Sequence, residues 1–181
     1  KGVHFKQMNF PPFLGLADNS FDVVISFQVI EHIQDDKKCL EEIHRVLKPG
    51  GKAVITTPNI KMTLTRNPWH IREYTNDQLK ELSGSIFSQV TMKGIAGNEK
   101  VMNYYEENKK SVAKFTRFDI LNLQYKLPAS LLRIPYDILN RVNRKMIQSN
   151  SGSLVSEISH SDYFLNEESE SNLDLFCIMT K

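Results

Sequence analysis

The chain predicts an α/β fold, and three observations predict it: a continuous β-branched and aromatic run over Phe21–Phe27, an amphipathic helical period after it, and a second buried apolar run over 53–57. Asp18-Asn19-Ser20 is turn chemistry and leads into the first run. The unbroken apolarity of that run predicts a parallel strand covered on both faces. From Asp35 the period changes. Cys39, Leu40, Ile43, Val46 and Leu47 share one helical face, while Asp36, Lys37, Glu41, Glu42 and Arg45 share the other. Lys48-Pro49-Gly50-Gly51 predicts the end of this helix, and Pro58 the end of the second strand. Strand, helix, strand in that order makes a right-handed crossover the default. Thr75 and Gln78 have capping-box spacing and open a helix carrying Leu79, Leu82 and Ile86. Residues 88–92 alternate as a strand does, and the apolar run 173–179 predicts a final strand.

The stretch of about eighty residues between those last two strands is too long for a loop and must carry structure of its own. Val101, Tyr105, Val112, Phe115 and Phe118 can share a helical face, and Leu131, Leu132, Ile138, Leu139, Val142 and Met146 repeat the pattern after Pro128. This predicts a helical insert over 98–150, rich in Lys and Arg. The stretch 151–172 has several Asp and Glu and no Lys or Arg, which predicts an acidic linker before the final core strand, 173–181.

With 181 residues, 40% of them hydrophobic, the chain can build one packed domain, and a net charge of +2 gives no global case for a nucleic-acid partner. Cys39 and Cys177 lack metal or redox spacing and read as buried thiols of a reducing compartment. No apolar run approaches the roughly 20 residues of a membrane span, so no stable membrane insertion is expected. The start lacks the pattern of a signal peptide, and a cytoplasmic location is expected.

Asn19-Ser20-Phe21-Asp22-Val23-Val24-Ile25-Ser26, Ile30-Glu31-His32-Ile33, Glu42 to Gly51 with its Arg45-Val46-Leu47-Lys48-Pro49-Gly50-Gly51 core, and Thr57-Pro58-Asn59 together resemble the class I S-adenosylmethionine-dependent methyltransferases. The resemblance covers about residues 3 to 93. It implies a Rossmann-like, doubly wound, mostly parallel sheet, with residues 1–97 forming the C-terminal half of the core and the insert serving as a lid. It implies S-adenosylmethionine as cofactor: Asn9 and Phe10 at the adenine, with Asn9 where relatives place an Asp, and Ser26, Phe27 and Gln28 under the methionine end. Relatives also carry an early glycine-rich turn. No GxG occurs in this chain, so the expectation is a piece of a longer methyltransferase, with a degenerate relative as the other explanation.

Methyl transfer from a sulfonium needs alignment and, for a hydroxyl acceptor, a base. His32 follows the first strand and His70 follows the second, at the strand ends where open α/β sheets bind ligands. Both are candidate catalytic residues, His70 the better one, and His32 also reads as a structural hydrogen-bonding group. Arg72 and Glu73 read either as an ion pair or as a grip on an acidic substrate group. Small-RNA and ubiquinone-pathway O-methyltransferases carry E-x-x-E-H at this strand end, and in the former a later His completes a metal site. Here Gln28 replaces the first Glu, which argues against a bound metal. The function expected is O-methylation of a small acceptor, glycan or lipid-linked. A methyltransferase-like binding subunit without activity and a basic membrane-surface protein are the competing readings.

Overall fold

Helix α1 (Asp36–Val46) forms where the sequence period places Cys39, Leu40, Ile43 and Val46 on one side, all buried. The Asp35 carboxylate caps it by accepting the Lys38 N–H at 3.0 Å. The computed structural model describes residues 2–119, 121–150 and 156–181. Helix α1 ends just before Lys48-Pro49-Gly50-Gly51 and runs directly into strand β2 (Leu47–Pro58), so Lys48 to Gly51 is a bulged strand entry. Strand β1 (Phe21–Phe27) pairs with β2 in parallel, with Phe21 opposite Leu47 and Val23 opposite Lys52. Only glycine fits at position 51, where a Cβ would stand 2.8 Å from the Lys48 carbonyl oxygen.

Helix α2 (Asn76–Gly84) opens on a complete capping box from Thr75 and Gln78 and leads to strand β3 (Gln89–Gly97). Three helices follow, α3 (Glu99–Thr116), α4 (Leu123–Lys126) and α5 (Ala129–Asn150), then strands β4 (Tyr163–Glu167) and β5 (Asp174–Thr180). The sheet order is β1-β2-β5-β3-β4.

Two expectations are corrected by this topology. The sheet is mixed, not mostly parallel: β1–β2 is a parallel pair, while β2–β5, β3–β5 and β3–β4 are antiparallel. Strand β5 returns from the far end of the chain and inserts between β2 and β3. Nor is the sheet wound on both faces by the described residues. Ala53, Ile55, Leu175, Cys177, Met179 and Met92 form one face and pack in the core with Leu40, Ile43 and Leu79 of α1 and α2, whereas Val54, Phe176 and Ile178 on the other face are only half-buried. Strand β1 is an edge strand, with Val23, Ile25 and Phe27 each more than half exposed, so the double coverage read from its apolarity is absent within this chain.

Within 151–172, where composition suggests a linker, residues 151–155 lie outside the described set and the remainder is structured. A short 3-10 turn at His160–Asp162 precedes β4, which pairs with β3 in the register Lys93 opposite Glu167. Asn59 fixes the following turn from the end of β2, donating to the Glu170 and Asn172 carbonyls at 2.9 and 2.7 Å. Asp162 accepts the Ser159 N–H and the Asn98 amide, which hold its carboxyl below the usual range and tie the start of α3 to this turn.

Candidate active site

Strands β1, β2 and β3 run in one direction, so their carboxyl ends lie at one edge of the sheet. Glu31, His32 and His70 are attached there. At the end of β1, Gln28 turns the chain through a left-handed conformation (φ 54°) while its N–H still extends the ladder to the Thr56 carbonyl at 2.9 Å. A 3-10 turn, Ile30–His32, follows and drives Glu31 into the interior at 1% exposure. Burying a carboxylate is costly unless it is hydrogen-bonded, and Thr57 of β2 donates to it at 2.9 Å. The Glu31 carbonyl accepts the Ile71 N–H at 2.7 Å, which pins the loop after β2 against the turn.

That pinning brings the two predicted histidines together, their ring centroids 4.9 Å apart and nearly perpendicular. His32 points Nδ1 at the Trp69 carbonyl at 3.0 Å. A carbonyl only accepts, so Nδ1 carries the hydrogen, and Nε2 stands 3.8 Å from Glu31 Oε1. His70 is held more fully. Its Nδ1 donates to Glu73 Oε1 at 2.6 Å, Thr63 donates to the other Glu73 oxygen at 2.5 Å, and the Asn67 amide nitrogen meets Nε2 at 2.8 Å. The Trp69 N–H donates to Asn67 Oδ1 at 3.0 Å, which fixes the amide with its NH2 toward the imidazole.

His70 and Glu73 form one wall of a cavity of about 540 Å³, enclosed otherwise by α3, α4 and α5. Leu64, Val112, Phe115, Leu132, Leu139 and Tyr136 make it largely apolar. Its charged lining is already engaged: Arg66 donates to the Gln124 and Leu127 carbonyls, and Asp119 accepts the Leu123 and Gln124 N–H groups. Burial pushes the Tyr136 hydroxyl above its ordinary range, with the Glu73 carboxylate as a further cause. Deeper in, Asn143 donates to Asn108 Oδ1 at 2.7 Å, and its own Oδ1 is buried with no partner among the described residues. Position 143 falls four residues from both Leu139 and Ile147, so a polar residue on an apolar helical face was the sequence signal for it.

The other predicted residues are placed differently. Ser26 and Phe27 end β1 beside Gln28, at the same edge as the histidines. Phe10 stacks on Phe13 with centroids 4.1 Å apart, in a loop that Arg45 anchors to α1 through the Phe13 and Leu16 carbonyls. Asn9 is exposed and makes no side-chain hydrogen bond among the described residues. Arg72 pairs with Asp36, which also accepts the Tyr74 hydroxyl at 2.7 Å, and Glu73 pairs with His70, so Arg72 and Glu73 are not paired with each other. Glu31, His32 and His70 offer one carboxylate and two imidazole ligand atoms within 4.8 Å of one another. Ligands of a tetrahedral Zn²⁺ stand about 3.4 Å apart, so this set would have to close slightly on an ion.

Residues 1–55 match the family model described as a methyltransferase domain. A protein of Mycolicibacterium smegmatis named "Probable S-adenosylmethionine-dependent methyltransferase" is 44% identical over 75 residues, which cover 38% of this chain and 29% of that one. The mitochondrial ubiquinone biosynthesis O-methyltransferase of Dictyostelium discoideum is 40% identical over 60 residues, 33% of this chain and 19% of its own. Among solved structures, an S-adenosylmethionine-dependent methyltransferase of Thermotoga maritima aligns over 93% of this chain and 59% of its own, with a TM-score of 0.49 and 14% identity. This chain spans less than a third of the length of these curated relatives.

Proposed function

We propose that this chain is part of a class I S-adenosylmethionine-dependent methyltransferase that directs methyl transfer to an oxygen of a small, largely apolar acceptor, of glycan or lipid-linked type, with His70 as general base. The observation that carries this reading is the His70–Glu73 pair set in the wall of an apolar cavity at the carboxyl edge of the sheet. The cofactor supplies an activated methyl group. Ser26, Phe27 and Gln28 are proposed to pass under its methionine end, and Asn9 and Phe10 to reach its adenine once the loop over α1 rearranges. The acceptor hydroxyl would displace the Asn67 amide from Nε2 and give that nitrogen its proton as the new O–CH3 bond forms. Glu73 holds the Nδ1–H and steadies the imidazolium that results. His32 stands against the same ring and orients it from the β1 side.

The polar lining supports a neutral acceptor. Arg66 and Asp119 spend their charges on backbone groups, and the unpartnered Asn143 Oδ1 asks for one hydrogen-bond donor from the ligand. A metal-assisted reading is the second one, favoured by the Glu31, His32 and His70 ligand set. The test is transfer of labelled methyl from S-adenosylmethionine, by the complete protein, to a panel of neutral apolar alcohols and phenols beside their sulfated counterparts. Labelling of neutral acceptors that persists in EDTA is expected. Labelling confined to the sulfated acceptors would overturn the acceptor reading, and labelling abolished by EDTA and restored by a divalent ion would replace the base mechanism with the metal one.

A further inference from the structure

Helix α5 has two apolar faces and only one of them is used. Leu132, Tyr136, Leu139 and Asn143 turn toward the cavity, and Ile147 is buried. At about 100° per residue, Leu131, Ile134, Ile138 and Val142 fall on a different stripe. They are 63, 72, 57 and 42% exposed. Exposed aliphatic side chains at helical spacing over three turns form a continuous patch, which an ordinary soluble surface avoids. Lys145 lies within that stripe and Arg141 at its edge, and both are exposed. The one acidic residue nearby, Asp137, accepts the Trp69 indole N–H at 3.0 Å, and Arg133 stacks over the same indole at 4.5 Å. Trp69 itself is 44% exposed and stands against the same helix, an aromatic residue with an apolar body and a polar edge.

We propose that the outer face of α5, with the exposed Trp69 beside the same helix, docks this protein onto an anionic lipid surface, the helix lying in the interface plane. Charge and apolarity together select this occupant. Lipid headgroups pair with Arg141 and Lys145 while the acyl boundary receives Leu131, Ile134, Ile138 and Val142. A second copy related by a two-fold axis would set the same two cations against themselves. Nucleic acid would satisfy the cations and leave the aliphatic stripe in water. No helix among the described residues is long and apolar enough to cross a membrane, so the contact is peripheral. The inference goes beyond the methyl-transfer reading and does not depend on it.

Trp69 is the only tryptophan in the chain, so its fluorescence reports docking directly. The full chain is mixed with phosphatidylcholine vesicles containing about a third phosphatidylglycerol, and with pure phosphatidylcholine vesicles, at low and at 0.5 M salt. Co-sedimentation with the anionic vesicles, a blue shift of Trp69 emission and release by salt are expected. Ile134→Glu/Ile138→Glu should abolish the partition, and Arg141→Glu/Lys145→Glu should weaken it by about thirtyfold or more. All four positions are exposed, and an unchanged thermal melt verifies that each variant is folded. Unmoved emission with no sedimentation overturns the proposal, as does partition that both variants leave intact. A concentration-dependent dimer that Ile134→Glu/Ile138→Glu dissolves, with no vesicle binding, would assign the face to a second copy instead.

Discussion

At the scale of single residues, the ionisable groups divide into those that hold the fold and those that face the cavity. Burial pushes the Cys39 thiol up to about 12 and the Cys177 thiol up to about 11, which removes both from thiolate chemistry. Glu42 is the opposite case. Hydrogen bonds from the Arg45 guanidinium, above all, hold its carboxyl below the usual range, with the Phe13 N–H adding to the effect. In the native state it therefore binds fewer protons than in the unfolded state near and below pH 4.5, its ordinary value. Its contribution is present above that pH and is lost as the pH falls toward the depressed native value. Glu42→Gln should cost about 2 kcal/mol at pH 7 and flatten the loss of stability between pH 5 and 3, read from urea midpoints. An unchanged acid slope would show that Arg45 does not set the proton balance of Glu42. Residue patterns announced His32 and His70, since each lies in the segment after a strand and the strands were readable. Glu73 as the holder of His70 was not readable, because its alternative partner Arg72 sits beside it and is taken by Asp36, 36 positions away.

At the scale of elements, α1 is the piece whose sequence leaves least freedom. Its apolar face has no place to go except the sheet, and Leu40 ends fully buried among residues of β2, β5 and α2. Leu40→Ala should therefore destabilise the protein by about 2–5 kcal/mol with its denaturant slope unchanged, and a loss below 1 kcal/mol would mean that the face is not packed as described. Strand β4 shows the limit of the same logic. Tyr163, Phe164 and Leu165 are all exposed, so no alternation marks the strand, and Ser, Asn and Glu surround it. Only its pairing with β3, some seventy residues earlier, makes it a strand. The antiparallel insertion of β5 was invisible for a related reason: an apolar run reports burial and carries no direction. At β1 the inference from burial also ran past the chain, since continuous apolarity predicts two covered faces and the edge position exposes Val23, Ile25 and Phe27.

At the scale of the whole molecule, the site exists only because two layers meet. The sheet core supplies the histidines, and the helices α3 to α5 close the cavity in front of them. Contacts between the layers are polar and specific: the Trp69 indole to Asp137, Arg66 to the carbonyls around α4, and the Tyr105 hydroxyl to the Met62 carbonyl at 3.1 Å. The helical character of this layer was legible from its apolar period, whereas its enclosure of a cavity with His70 in the wall depends on those long-range contacts, which no local pattern records. The central claim is that the assembled site uses His70 as the base that accepts the acceptor's proton. The measurement that tests it most directly is turnover with a labelled acceptor beside S-adenosylhomocysteine affinity, for the complete protein and its His70→Ala variant. Turnover reduced by about a hundredfold or more with cofactor affinity nearly unchanged is expected. Turnover near that of the parent protein, or a loss that follows cofactor affinity alone, would contradict it.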